Sequence, residues 1–388
     1  TGVQTCALPI SGSDEYYLGA RRRNAAHDVE AVQDADRRDR IAAALHKALQ
    51  GEKGRDLVTA CLVALAKVGM DPPNARLVDV LSAQIGDNDQ EIRETAVLAL
   101  GIAGRQEALP TLAALLQQTA EGRKLVGNAD VSVRTRAFAV WSLGLLASRS
   151  ADLSLKQRVH DLLLPVLQDK DESSRDLRVA AIQGLGLLAS AGDRPAGERR
   201  IVWQTTAELW DYYRKDLGKG DQLVQAHVPT AVVRLLGRGV SAEHQRAKAL
   251  LAEELTSGKR RHNTIYQSAA MALGLLCLPA EQSSEDAPFA QALLHCYQRG
   301  TDQLARFHAA LALGRIGGES NRKALLSIYG DANRTLERPW VALALGLLAR
   351  EKVRGGGVVD AEIGKLLLAD FTSADFDDAE AEIGRAHV

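Results

Sequence analysis

A four-residue phrase ending in leucine-glycine recurs along this chain, and such a recurrence restricts the fold more tightly than any overall property. It reads Leu98-Ala99-Leu100-Gly101, Trp141-Ser142-Leu143-Gly144, Gln183-Gly184-Leu185-Gly186, Arg234-Leu235-Leu236-Gly237, Met271-Ala272-Leu273-Gly274, Leu311-Ala312-Leu313-Gly314 and Leu343-Ala344-Leu345-Gly346. An earlier copy, Val63-Ala64-Leu65-Ala66, has alanine in place of the glycine. Successive glycines lie 43, 42, 51, 37, 40 and 32 residues apart. A period of roughly 40–47 residues suits a two-helix unit that cannot bury its apolar face alone and must stack on its neighbours.

The interior of each copy is equally regular. Eight residues before the glycine stands Arg93, Arg136, Arg178, Arg306 or Arg338, with Pro229 and Tyr266 in the other two copies. Five residues before it the side chain is small and apolar: Ala96, Ala139, Ala181, Val232, Ala269, Ala309 and Val341. Positions four apart share a helical face, so small residues there would let neighbouring helices approach closely. Upstream, Ala108-Leu109-Pro110-Thr111-Leu112 reads as another helix with proline in its first turn. Asp87 and Asp89 precede Ile92-Arg93, where an acidic cap would accept from free amides, and Asp169 and Asp171 precede Arg178 in the same order. The unit is helix A, a polar turn, helix B and a short link.

On these phrases the chain resembles bacterial HEAT-repeat proteins of the phycobilisome-lyase-like subtype, over about residues 41–350. The resemblance implies an all-α, right-handed α-α superhelix of about eight two-helix repeats. It also implies that Arg93, Arg136, Arg178, Arg306 and Arg338 stack between repeats as structural residues. The unit around Pro229 departs most from the pattern.

The two ends read differently. Residues 1–10, TGVQTCALPI, and 382–388, EIGRAHV, resemble translated sequencing adapters, which makes the intervening chain a fragment. The expected layout is a charged segment over 11–40, the solenoid over 41–370, and an acidic tail or truncated repeat over 371–381. The compartment stays open on this reading.

Composition narrows the function. A formal charge of −1 argues against a dedicated nucleic-acid binder, which usually carries a large basic excess. No apolar run reaches the roughly 18 residues of a membrane span. Cys61, Cys277 and Cys296 sit in apolar helical patterns without a CxxC, as buried thiols do. Gly184-Leu185-Gly186-Leu187-Leu188-Ala189 matches a dinucleotide fingerprint only in letters, because it ends a helix rather than following a strand. HExxH, GxSxG and Walker A patterns are missing, and no histidine is followed by glutamate. The iron-binding His-Glu pairs of HEAT-like deoxyhypusine hydroxylases are therefore not present. Lys259-Arg260-Arg261-His262 is a compact basic cluster, with a solvated turn favoured over an anion contact.

The resulting expectation is a non-catalytic scaffold that binds a protein partner on the concave face lined by helix B, with no metal or cofactor. Candidate partner-binding residues are Phe138, Trp141, Arg234, Phe307 and Trp340, with Gln183, Met271 and His308 at equivalent positions. The widest spacing, between Gly186 and Gly237, holds Trp203, Trp210 and Tyr213. These fill an enlarged repeat on the favoured reading or serve as exposed anchors on the sharper one. The alternatives are an enzyme related to bilin lyases or to HEAT-like base-excision proteins, or the repeat portion of a larger secreted or membrane-associated protein.

Overall fold

The computed structural model describes residues 35–169, 174–189, 192, 194–331 and 336–372. The adapter-like ends, most of the charged 11–40 segment, most of the acidic 371–381 segment and Asp171 lie outside them. All regular structure among the described residues is helical, which establishes the all-α repeat class. The chain divides between Leu188 and Ala189 into two compact units.

The N-terminal unit contains α1 (Ala35–Gly51), α2 (Arg55–Val68), α3 (Leu77–Ser82), α4 (Gln90–Ala103), α5 (Leu109–Gln117), α6 (Ala120–Val126), α7 (Val133–Arg149), α8 (Leu153–Gln168) and α9 (Arg175–Leu185). The C-terminal unit contains α10 (Ala196–Arg214), α11 (Lys219–Gln225), α12 (Val228–Leu236), α13 (Ala242–Thr256), α14 (Asn263–Leu276), α15 (Ala287–Arg299), α16 (Gln303–Ile316), α17 (Glu319–Asp331), α18 (Arg338–Arg354) and α19 (Ala361–Thr372). The leucine-glycine phrases fall in the C-terminal half of a helix B or at its end, except Leu343–Gly346, which lies mid-way along α18.

Short polar side chains start several of these helices by accepting otherwise orphaned amides. Asp89 accepts from Glu91 N at 2.8 Å and Ile92 N at 3.3 Å, as its position suggested. For α9 the cap is Ser174, not an aspartate: its hydroxyl accepts from Leu177 N at 3.2 Å. Pro110 sits in the first turn of α5, where its missing N–H costs no intrahelical bond.

Helix B packs on the next helix B in two runs, α2–α4–α7–α9 in the first unit and α12–α14–α16–α18 in the second. The glycines make this possible. A Cβ on Gly101 would lie 2.5 Å from Ser142 Cα, one on Gly144 would lie 2.7 Å from Gly184 O, and one on Gly274 would lie 2.6 Å from Ala312 Cα. Gly314 meets the backbone of Ala344 in the same way. Each glycine therefore seats against the residue two places before the next glycine. The small residues five places before each glycine are buried as well. Between α4 and α7 the seat is reinforced by Ser142, whose hydroxyl donates to Val97 O at 2.8 Å across the helix pair.

Two of the repeated arginines, Arg136 and Arg306, tie helix B to helix A of their own repeat. Arg136 Nε donates to Leu116 O at 3.1 Å and Arg306 Nε to Tyr297 O at 2.7 Å, both in the last turn of helix A. Arg93 Nη1 donates to Asp87 O at 2.8 Å. A cation at exposed C-terminal carbonyls also meets the negative end of the helix dipole. Arg306 reaches onward to Glu337 at 2.8 Å. The guanidinium of Arg338 lies over the ring of Tyr329, 4.6 Å from its centre, and Arg178 is half-buried.

Candidate partner-binding surface

Residues three and six places before each glycine lie on one face of helix B, one turn apart. Because the glycine seats fix the register between neighbouring helices B, equivalent positions form rows across each unit.

In the N-terminal unit the expected anchor is not available. Trp141 is only 5% exposed, with its indole N–H buried and without a hydrogen-bond partner. Phe138 stands edge-on to it at 5.3 Å and is half-exposed. A large flat side chain gains more by lying against neighbouring rings than by projecting. Gln183, the equivalent position on α9, is half-exposed.

The enlarged repeat uses its aromatics for volume. Trp210 and Tyr213 are buried and meet edge-on at 5.4 Å, so neither is an exposed anchor. Burial pushes the Tyr213 hydroxyl well above the usual tyrosine range. Trp203 projects alone from α10.

The C-terminal unit does present a row. Met271 on α14 is 41% exposed and Leu343 on α18 is 49% exposed, with Leu311 half-exposed on α16 between them. Trp340 lies one turn before Leu343 and is half-exposed. Phe307 is buried beneath it, its ring stacked on the indole at 5.2 Å, and so acts as support rather than contact. His308 meets the same indole edge-on at 6.4 Å, and burial holds its imidazole below the ordinary pKa. Arg234 is half-buried on α12. Leu311 and Leu343 were missed because leucine at a repeated position reads as core. The signal that could have found them is their registry with Met271 and Trp141 in the phrase itself.

Among the described residues, no helix is long and apolar enough to cross a membrane. The three buried cysteines are free thiols, with burial raising Cys277 to about 12 and Cys296 to about 11.

No family model matches the chain, and no curated protein matches it. Solved structures do. Human deoxyhypusine hydroxylase in complex with glycerol is 17% identical, covering 81% of this chain and 97% of that one, with a TM-score of 0.31. An engineered protein from the Northeast Structural Genomics Consortium is 17% identical, covering 89% and 98%, with a TM-score of 0.34. The first of these is an enzyme, and the expectation that this chain is not one is withdrawn on that finding.

Proposed function

We propose that this chain binds a protein partner through the row Met271, Leu311, Leu343 and Trp340 of the C-terminal unit. The observation that carries the reading is repetition of an exposed or half-exposed apolar side chain at one position of three successive helices B. A single exposed leucine is ordinary on a protein surface, whereas aligned ones with an aromatic beside them are the composition of a binding site. The partner would be a segment with apolar side chains spaced to meet successive helices, the indole supplying most of the affinity.

Selection of a displayed peptide library against the full chain tests this. Enriched peptides carrying two or more large apolar residues are expected to lose binding to a Leu343→Asp variant and to a Met271→Asp variant. Peptides that bind both variants unchanged would place the interaction elsewhere.

A second reading is catalysis in the recess between α5, α7 and α8. This recess of about 420 Å³ brings Arg136, Asp161 and Asp169 together. The buried His160 donates its Nδ1–H to Asp161 Oδ1 at 3.0 Å, which lowers the carboxyl's pKa. A spectral shift of an added bilin, or release of an alkylated base from methylated DNA, either one abolished by Asp161→Asn, would favour it.

A further inference from the structure

A second recess lies in the C-terminal unit, and its chemistry is of one sign. It has a volume of about 470 Å³, and the titratable groups on its wall are Lys219, Arg260, Arg261, His262 and Tyr266, with no carboxylate among them. We propose that this recess binds a small phosphomonoester, with Lys219 and Arg260 holding the dianionic head.

The wall is held in place before any ligand arrives. Arg261 is clamped by Glu254 at 2.8 Å and Gln225 at 2.9 Å, with its guanidinium 4.9 Å from the centre of the buried Tyr213 ring. The Arg261 N–H donates to Tyr266 Oη at 2.8 Å, and that hydroxyl donates to Lys259 O. The His262 N–H donates to Gln222 Oε1 at 2.6 Å, joining the turn to α11. Such fixing removes part of the ordering cost of binding.

The charges divide into spent and unspent. Lys259 is paired with Glu253 at 2.9 Å and Arg261 with Glu254. Among the described residues, Lys219 and Arg260 have no such partner and remain exposed on the recess. Two uncompensated cations facing one concavity match a dianion, and guanidinium can grip a phosphoryl group through two donors. The start of α14 adds the positive end of its dipole on the same side. The recess is larger than a bare phosphate needs. Gln222, Asn263 and Thr301 on its wall would hydrogen-bond the hydroxyls of an attached polyol.

Calorimetric titration of the full chain at low ionic strength with inorganic phosphate, glycerol 3-phosphate and glycerol tests this. Saturable binding is expected for both phosphates, tighter for the ester, and none for glycerol. Lys219→Gln and Arg260→Gln, both at exposed positions, should each weaken binding by roughly tenfold, the value of one charge-assisted contact. Lys259→Gln, which removes a charge already met by Glu253, should bind as the parent does. No saturable binding of either phosphate, an equal loss in Lys259→Gln, or preference for an RNA oligonucleotide over the ester would each overturn the proposal.

Discussion

Replacing Gly274 by alanine should destabilise the C-terminal unit, although alanine is the better helix former. The added Cβ would stand 2.6 Å from both Cα and Cβ of Ala312, where ordinary contact begins near 3.4 Å. Helix α16 would have to recede from α14 by roughly 1 Å, and forced separation of packed elements costs about 1–3 kcal/mol. The intrinsic preference for alanine over glycine in a helix returns about 1 kcal/mol. The expected net loss is therefore about 0–2 kcal/mol, centred near 1 kcal/mol. Gly346 supplies the control, because it occupies the same place in its phrase but nothing lies within 4 Å of its added Cβ. Gly346→Ala should gain about 0.5–1 kcal/mol from propensity alone. Thermal unfolding followed by far-ultraviolet circular dichroism separates the two, since 1 kcal/mol shifts Tm by about 2–4 °C for a unit of this size. Gly274→Ala should melt a few degrees lower and Gly346→Ala a few degrees higher. If both variants shift the same way, the glycines are not seats between helices and the packing argument fails.

Two further outcomes follow from charged groups in the C-terminal unit. Lys248 and Asp286 form a fully buried pair at 2.7 Å, with Lys248 also donating to Gly239 O at 2.7 Å and Asp286 accepting from Leu278 N at 2.7 Å. Lys248→Met leaves a buried carboxylate uncompensated and should cost about 3–5 kcal/mol in chemical denaturation, whereas Lys248→Met combined with Asp286→Asn should recover much of it; an additive double variant would refute this. Asp360 accepts from Arg322 at 2.7 Å and from Ile363 N at 3.2 Å at the start of α19, and Arg322 holds its carboxyl far below the usual carboxylate range. A lowered folded pKa stabilises fully above the unfolded value of about 3.9 and is lost as pH falls below it. Exchange protection of α19 amides should therefore drop on acidification below about pH 4, and Arg322→Gln should weaken protection at neutral pH and flatten that dependence.

The helical repeat was legible because its information is local and redundant. Seven copies of one phrase identify helix B, Pro110 marks the start of a helix A, and Asp89 caps where its position says it should. Pairings between residues distant in sequence were not legible. Lys248 and Asp286 stand 38 residues apart, and a lysine in a polar helix reads as solvated until its partner is known. The direction of a side chain was likewise invisible. Trp141 and Met271 hold the same place in the phrase, yet one is buried, with the Phe138 ring edge-on to it, and the other is exposed. Within the enlarged repeat, the reading that aromatics fill volume holds for Trp210 and Tyr213 and fails for Trp203.

The seat between helices B also bears on how such a chain could change its length. On α7 and on α16, the glycine that presses into one neighbour and the small residue that receives the other neighbour are two places apart on the same helix. Each such helix thus carries both the plug and the socket. A copied repeat would fit beside its own template without any compensating substitution, so the array could grow by duplication of whole units. A gain or loss of residues inside helix B, between socket and plug, would spoil two interfaces at once, which leaves the links between repeats as the natural place for length variation.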